Sequence, residues 1–339
     1  MTARKATLIP GDGIGPEITA ATLKVLDAAG VDFDWDEQVA GVVALHDLGT
    51  PLPDSLLESI KQTHLALKGP LTTPVGTGFS SVNVELRREF DLFANVRPAK
   101  SLLPNGRYDN VDIVLVRENT EGLYVGYETT IPVDGDSRAV AQAAAILTRH
   151  GCERIARYAF DYAVAHGRRK VTICHKANIL KATSGLFLDT ARAIAADYVG
   201  MFEVDDVIID ACAMKLVLDP SQFDVIVTTN MFGDILSDEI AGLIGGLGLA
   251  PGANIGNDVA IFEAVHGSAP DIAGRGVANP AALMLAACMM LDHTGDCDSA
   301  RAIRSALRQA IHEDGLRTPD LKGSATTFEF ADAVARHLG

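Results

Sequence analysis

The sequence predicts an α/β protein with a largely parallel or mixed sheet, and three observations predict it. Short apolar runs bounded by turn residues alternate with helix-period segments along the whole length. The first run ends at once in a glycine-rich turn. Residues capable of chemistry sit just after the apolar runs, where open α/β sheets bind ligands.

Taken in order, Ala6–Pro10 reads as a strand that ends in Gly11-Asp12-Gly13-Ile14-Gly15. Pro16–Ala29 reads as a helix, with Pro16 suited to its first position. Ile18, Ala21, Val25, Leu26 and Ala29 form its apolar stripe. Further strands are expected at Val111–Val116, Lys170–Cys174, Val207–Asp210, Val225–Thr229 and Val259–Val265. Alanine-rich helices are expected at Ala139–Arg149, Arg154–His166 and Leu186–Ala196. The glycine turn invites a dinucleotide-binding GxGxxG reading, but its third glycine would fall on Pro16, so a plain structural turn is the better account.

The 339 residues suffice for one large domain or two interlocked ones. With 29 basic against 44 acidic residues, the net charge of -15 repels nucleic acid and anionic lipid as main partners. No run is long and apolar enough for a membrane span, and no targeting segment is recognised at the N-terminus. The cysteines, Cys152, Cys174, Cys212, Cys288 and Cys297, are odd in number and lack metal-ligand spacing. They read as free thiols in a reducing cytoplasm.

Several segments carry chemistry. Ser80–Phe90 reads as a helix buried through Val82, Leu86 and Phe90. Asn83 and Arg87, four apart, share a face, and Arg97 and Lys100 follow closely. A solvated helix with internal pairs, such as Arg87 with Asp91, and a guanidinium clamp for carboxylates account for this segment equally. Arg117 ends a strand within Val116-Arg117-Glu118-Asn119-Thr120-Glu121-Gly122-Leu123-Tyr124, where it could grip a carboxylate and Tyr124 could move a proton. Lys176 and Asn178 follow Cys174; a lysine there is usually solvated but becomes a proton shuttle in a closed polar site.

Asp234 and Asp238 follow a strand and open a helix in Met231-Phe232-Gly233-Asp234-Ile235-Leu236-Ser237-Asp238-Glu239. They could cap the helix and favour its positive end. Alternatively, a divalent cation could relieve their i,i+4 repulsion, and oxygen-only ligands suit Mg2+ or Mn2+. Asp210, at another strand end, is a third carboxylate. Gly245–Gly256 is too glycine-rich for regular structure; its backbone amides could approach a ligand closely, or it could be a flexible structural loop. Beyond it lie Glu263-Ala264-Val265-His266-Gly267-Ser268-Ala269-Pro270-Asp271-Ile272 and Ala278-Asn279-Pro280.

Together these segments resemble the isocitrate/isopropylmalate dehydrogenase family of β-decarboxylating dehydrogenases. The resemblance runs from Ile9-Pro10-Gly11-Asp12-Gly13-Ile14-Gly15-Pro16-Glu17 to Arg317-Thr318-Pro319-Asp320-Leu321. It implies an isopropylmalate dehydrogenase-like two-domain fold with a mixed sheet, not a classical Rossmann fold. Residues 1–98 plus 250–339 would form a large domain carrying most of the NAD site. Residues 99–249 would form a small domain with the metal ligands and the interface of a homodimer. On the family pattern the site is shared between subunits, with Lys176, Asn178 and Asp210 reaching across.

The resemblance assigns Ser81, Asn83, Arg87, Arg97, Arg117 and Asn178 to the substrate, Tyr124 and Lys176 to proton transfer, and Asp210, Asp234 and Asp238 to Mg2+ or Mn2+. Thr72 and Glu263 would approach the nicotinamide ribose. His266, Gly267, Ala269, Ile272 and Asn279 would line the adenine side, and Asp271 would accept from the adenosine ribose hydroxyls. NADP-linked relatives carry lysine and tyrosine where Asp271 and Ile272 stand here, so NAD is the expected cofactor. Ser81 and Asn83 resemble the isocitrate branch; the segments around Arg97, Tyr124 and His266 resemble homoisocitrate dehydrogenase equally. The expected activity is NAD-dependent oxidative decarboxylation of isocitrate, with homoisocitrate, isopropylmalate or tartrate as alternatives. A non-catalytic regulatory subunit is a further alternative, disfavoured by the complete set of Tyr124, Lys176 and the three aspartates.

Overall fold

A computed structural model describes residues 4–74 and 80–339. Of the N-terminal segment read for targeting signals, residues 1–3 lie outside the described residues. By its internal contacts the chain forms two units. The first comprises Met1–Leu92, Arg97–Val111 and Ala241–Gly339; the second comprises Phe93–Val96 and Asp112–Ile240. Among the described residues no helix is long and apolar enough to cross a membrane.

The first unit begins with β1 (Arg4–Ile9), α1 (Gly15–Ala28), β2 (Phe33–Glu37), α2 (Gly41–Leu48), α3 (Asp54–Thr63), β3 (Leu65–Lys68) and α4 (Val82–Glu89). β4 (Ala94–Lys100) follows, with Arg97–Lys100 in this unit and Ala94–Val96 in the second. β1 lies parallel to both β2 and β3, and β3 parallel to β12 (Ala260–Ala264), which pairs antiparallel with β11 (Pro251–Ile255). The expected mixed sheet is therefore present. β3 and β12 are buried at every position, so they do not alternate in polarity, and their charged residues, Lys68 and Glu263, are buried with them. Ile9, Ala66, Leu56, Ile60, Leu86 and Ile261 pack one core of this unit. The apolar helix α9 (Ala281–His293) packs on β11 and β12, with α10 (Cys297–His312) against it and α11 (Thr327–Arg336) against α1 and α10.

The second unit holds β5 (Asp112–Glu118), β6 (Glu128–Val133), β7 (Asp136–Ala143), α5 (Arg149–Ala165), β8 (Lys170–His175), α6 (Thr183–Ala195), β9 (Glu203–Ile208), α7 (Ile209–Leu218), β10 (Val225–Thr228) and most of α8 (Asn230–Ile244). Its parallel strands run in the order β5-β10-β8-β9. β6 and β7 form a separate antiparallel hairpin, exposed along its whole length.

Five expectations need correction. Ala139–Arg149 is not a helix: β7 runs to Ala143 and α5 starts at Arg149. Alanine content suggested a helix, but Asp134-Gly135, both at positive φ (48° and 86°), forms the tight turn that pairs the flanking runs as a hairpin. Gly245–Gly256 is not loop throughout, because β11 occupies Pro251–Ile255 and gains its ladder from β12. Asp210 does not end a strand: β9 stops at Ile208 and α7 begins at the next residue, which places Asp210 in its first turn. Asp234 does not open its helix, since α8 already starts at Asn230. Pro16 is the second residue of α1, after Gly15.

Candidate active site

In the second unit, Arg117 leaves the end of β5 with its side chain 1% exposed. Its Nε and Nη2 donate to Asn230 Oδ1 at 3.1 and 2.7 Å. Its Nη1 forms an ion pair with Asp234 Oδ1. The Tyr124 hydroxyl donates to the other oxygen, Asp234 Oδ2, and the guanidinium carbon of Arg117 lies 5.2 Å from the Tyr124 ring centre. Tyr124 sits on a short 3-10 turn bracketed by Gly122 and Gly126, both at positive φ (79° and 77°). These conformations suit glycine and aim the ring. Gly233 allows α8 to lie against Arg117: a Cβ there would come within 2.6 Å of Arg117 Cγ. One carboxylate thus gathers a guanidinium and a phenol.

Lys176, just past β8, pairs with Asp210 on α7. The lysine's hydrogen bond holds the Asp210 carboxyl below its ordinary pKa. Asn178 is exposed two residues on. Asp234 and Asp238 lie four apart on α8, and Asp238 is exposed. Among the described residues no three His, Cys, Asp or Glu side chains gather as a metal-holding group. The donors nevertheless fit a hard divalent cation. All are carboxylates, and Asp234, 37% exposed, already draws a positive partner in Arg117.

In the first unit, Ser81 precedes α4 and accepts a hydrogen bond from Thr73 at 3.2 Å. Asn83 is half-buried, and its Oδ1 is buried without a partner. Arg87 turns to Asn254 and Glu263 instead of Asp91: Nε donates to Asn254 Oδ1 at 3.2 Å, and Nη2 stands 3.7 Å from Glu263 Oε1. Asn254 Nδ2 donates to Glu263 Oε1 at 2.7 Å, and Lys68 Nζ reaches Glu263 Oε2 at 2.6 Å. Burial, the largest influence on Glu263, pushes its pKa up. Lys68 and Arg87 together outweigh it and hold the carboxyl at about 2. Arg97 lies half-buried on β4.

A cavity of about 460 Å3 in the same unit is lined by His266, Gly267, Ala269, Ile272 and Asn279, together with Ile14, Gly248 and Asp320. Its size is that of an ordinary small-molecule site. Burial lowers the His266 pKa, which favours the neutral ring. His266 Nδ1 bonds the Gly267 carbonyl at 3.0 Å, while Nε2 is buried and unpartnered. An adenine ring fits this orphaned nitrogen and the apolar walls. Thr72 is fixed by its hydroxyl to Ser268 (2.6 Å) and by its backbone N–H to Asp12 Oδ2 (2.8 Å). Asp271 is exposed and outside the cavity lining.

Sequence reasoning missed Gly248 and Asp320. Asp320 Oδ2 accepts from Asn279 at 3.0 Å, and a Cβ on Gly248 would stand 2.5 Å from that oxygen. The signal was present in Thr318-Pro319-Asp320, read only as part of the family likeness. The glycine turn after β1 is structural. Ile14 N–H donates to the Ser268 carbonyl at 2.9 Å, and Asp12 receives the backbone N–H of Val42 and Thr72.

The fold and these groups define a dehydrogenase of the β-decarboxylating class, and comparison with known proteins agrees. Residues 5–334 match the family model described as isocitrate/isopropylmalate dehydrogenase. The chain is 48% identical to the isocitrate dehydrogenase [NAD] catalytic subunit 5, mitochondrial, of Arabidopsis thaliana, over 98% of this chain and 88% of that protein. It is 50% identical to the 3-isopropylmalate dehydrogenase of Archaeoglobus fulgidus, over 99% of both. The crystal structure of isocitrate dehydrogenase from Methylococcus capsulatus superposes with a TM-score of 0.95, 55% identity and 99% coverage of each chain. The chain belongs to the isocitrate/isopropylmalate dehydrogenase family.

Proposed function

We propose that the chain converts isocitrate and NAD+ to 2-oxoglutarate, CO2 and NADH with the help of Mg2+ or Mn2+. The observation that carries the reading is the convergence of Arg117 and Tyr124 on Asp234. A carboxylate-gripping cation, a proton donor and a cation-binding carboxylate then occupy one place.

Asp234, Asp238 and Asp210 of a second copy would hold a divalent cation, which would supply Lewis-acid stabilisation of the substrate oxygens, and NAD would supply the hydride acceptor. Arg87, Arg97 and Arg117 grip carboxylates. Lys176 takes the hydroxyl proton. Tyr124 O–H delivers a proton to the carbon that loses CO2, and Lys176 re-protonates the phenolate. Ser81 and Asn83 favour isocitrate over isopropylmalate. A carboxylate accepts from the serine hydroxyl and the asparagine amide, whereas an isopropyl group strands both.

A homodimer is part of the reading. The β6–β7 hairpin exposes Ile131, Val133 and Val140, and Ile235 on α8 is 60% exposed. A hairpin with no covered face is marginal alone, so a second copy is the natural cover. The five free thiols support a cytoplasmic enzyme.

The test is dinucleotide reduction by the purified protein with NAD or NADP and Mg2+ or Mn2+, comparing isocitrate, homoisocitrate and isopropylmalate. A preference for isocitrate with NAD is expected. Preference for isopropylmalate would overturn the role of Ser81 and Asn83; preference for homoisocitrate would retain the chemistry and move the enzyme to the longer acid.

A further inference from the structure

A second cavity of the first unit, of about 400 Å3, serves no step of the proposed reaction. It opens among the 101–108 segment, residues 242–246 and the 317–322 turn. Three basic side chains line it: Arg107, Arg317 and Lys322.

None of the three forms an ion pair among the described residues. Residues 1–3 and 75–79 add no carboxylate side chain that could pair with them. Other basic side chains of the chain do hold an aspartate, as Lys24, Arg168, Lys170 and Arg304 show. Arg107 instead lies over the Tyr108 ring, 5.4 Å from its centre.

One carboxylate, Asp320, lines the cavity, and its oxygens are engaged by other groups. Oδ1 accepts from Thr318 at 2.5 Å and Oδ2 from Asn279 at 3.0 Å. Asp320 also lines the cofactor cavity, so it is the wall the two share. The chain comes close on the far side because Gly245 has no Cβ, which would stand 2.6 Å from Leu103 Cδ1. The result is a cavity of small-ligand size whose three basic groups outnumber its one carboxylate, leaving net positive charge.

We propose that this cavity is a second ligand site, which binds a phosphate-bearing small metabolite through Arg107, Arg317 and Lys322. Guanidinium and ammonium groups are the usual partners of phosphoryl oxygens. The source is a free phosphate or pyrophosphate, or a nucleoside phosphate whose base lies against Tyr108 and Leu103.

Calorimetric titration of the full-length protein tests this, in metal-free buffer with saturating NAD. The probes are orthophosphate, pyrophosphate and a nucleoside 5′-monophosphate. At least one should bind. Arg317→Gln combined with Lys322→Gln should weaken it tenfold or more while NAD affinity stays within twofold. Arg107→Gln, on an exposed side chain, should weaken it about threefold and stands in if the double variant does not fold. Tightest binding of the nucleotide identifies a nucleoside phosphate; equal or tighter binding of pyrophosphate identifies a free anion. No binding by any probe, or unchanged affinity in the variants, overturns the proposal.

Discussion

Two side chains show how much single groups decide. The Tyr124 hydroxyl donates to Asp234 and is the proton donor of the proposed reaction. Tyr124→Phe keeps the ring against Arg117 and removes only the O–H. Turnover should fall about 10^2-fold or more, with the KM for isocitrate changed far less, because a proton-transfer step contributes roughly that much. Turnover within twofold of the parent would remove Tyr124 from the chemistry. Glu263 makes the complementary case for stability. Its folded-state pKa of about 2 lies below the ordinary 4.5, so the folded state binds its proton less tightly than the unfolded chain does. The resulting stabilisation is present in full above about pH 4.5 and is lost as pH falls through about 2. Glu263→Gln leaves Lys68, 3% exposed, without its counter-charge. It should cost about 3–5 kcal/mol at neutral pH and flatten the acid limb of the stability profile. Coincident urea midpoints for the two proteins at pH 7 would contradict this.

At the scale of elements, α8 is placed by what it lacks. With no side chain at Gly233, the helix lies against the aliphatic part of Arg117, and Asn230 on the preceding turn fixes the guanidinium. Gly233→Ala would press a Cβ to 2.6 Å from Arg117 Cγ. The expected cost is about 1–3 kcal/mol in stability, with a raised KM as Arg117 turns from its clamp position. Unchanged melting and KM would show that α8 yields without cost. The sequence made parts of this visible and hid others, for physical reasons. β5, β8, β10 and β12 stood out because buried strands are mostly apolar and β-branched on both faces. β2 is half-exposed and acidic, and β11 contains proline and glycine; both owe their strand state to neighbours that one-dimensional pattern does not reveal. The hairpin was legible in Asp134-Gly135, but alanine content drew the reading to helix. The residues between His266 and Asn279 that line the cavity of about 460 Å3 were legible as a group because one loop carries most of them. The ties of Arg87 to Asn254 and Glu263 were not, since they span 167 residues for the first pair and depend on β11.

For the molecule as a whole, the arrangement of acids and proton carriers within one chain bears on how many chains make a working enzyme. Tyr124 meets Asp234, whereas Lys176 meets Asp210, and no third metal-ligating group joins either pair among the described residues. If each chain keeps its own site, Tyr124 and Lys176 act together in cis. If two copies exchange residues across a two-fold axis, each site takes Tyr124 from one copy and Lys176 from the other. The two arrangements separate in a mixing experiment. Tyr124→Phe and Lys176→Met should each be nearly inactive alone. Unfolded together and refolded, they form hybrids in which, for exchanged sites, one site carries both substitutions and the other carries neither. Random pairing makes about half the dimers hybrid and half their sites intact, so activity should return to about a quarter of the parent. Sites confined to one chain give no recovery at any mixing ratio, because every site then holds one of the two lesions. Recovery that rises and falls with the hybrid fraction would establish the exchange; its absence, with dimers still formed, would return Lys176 and Asp210 to the chain that carries them.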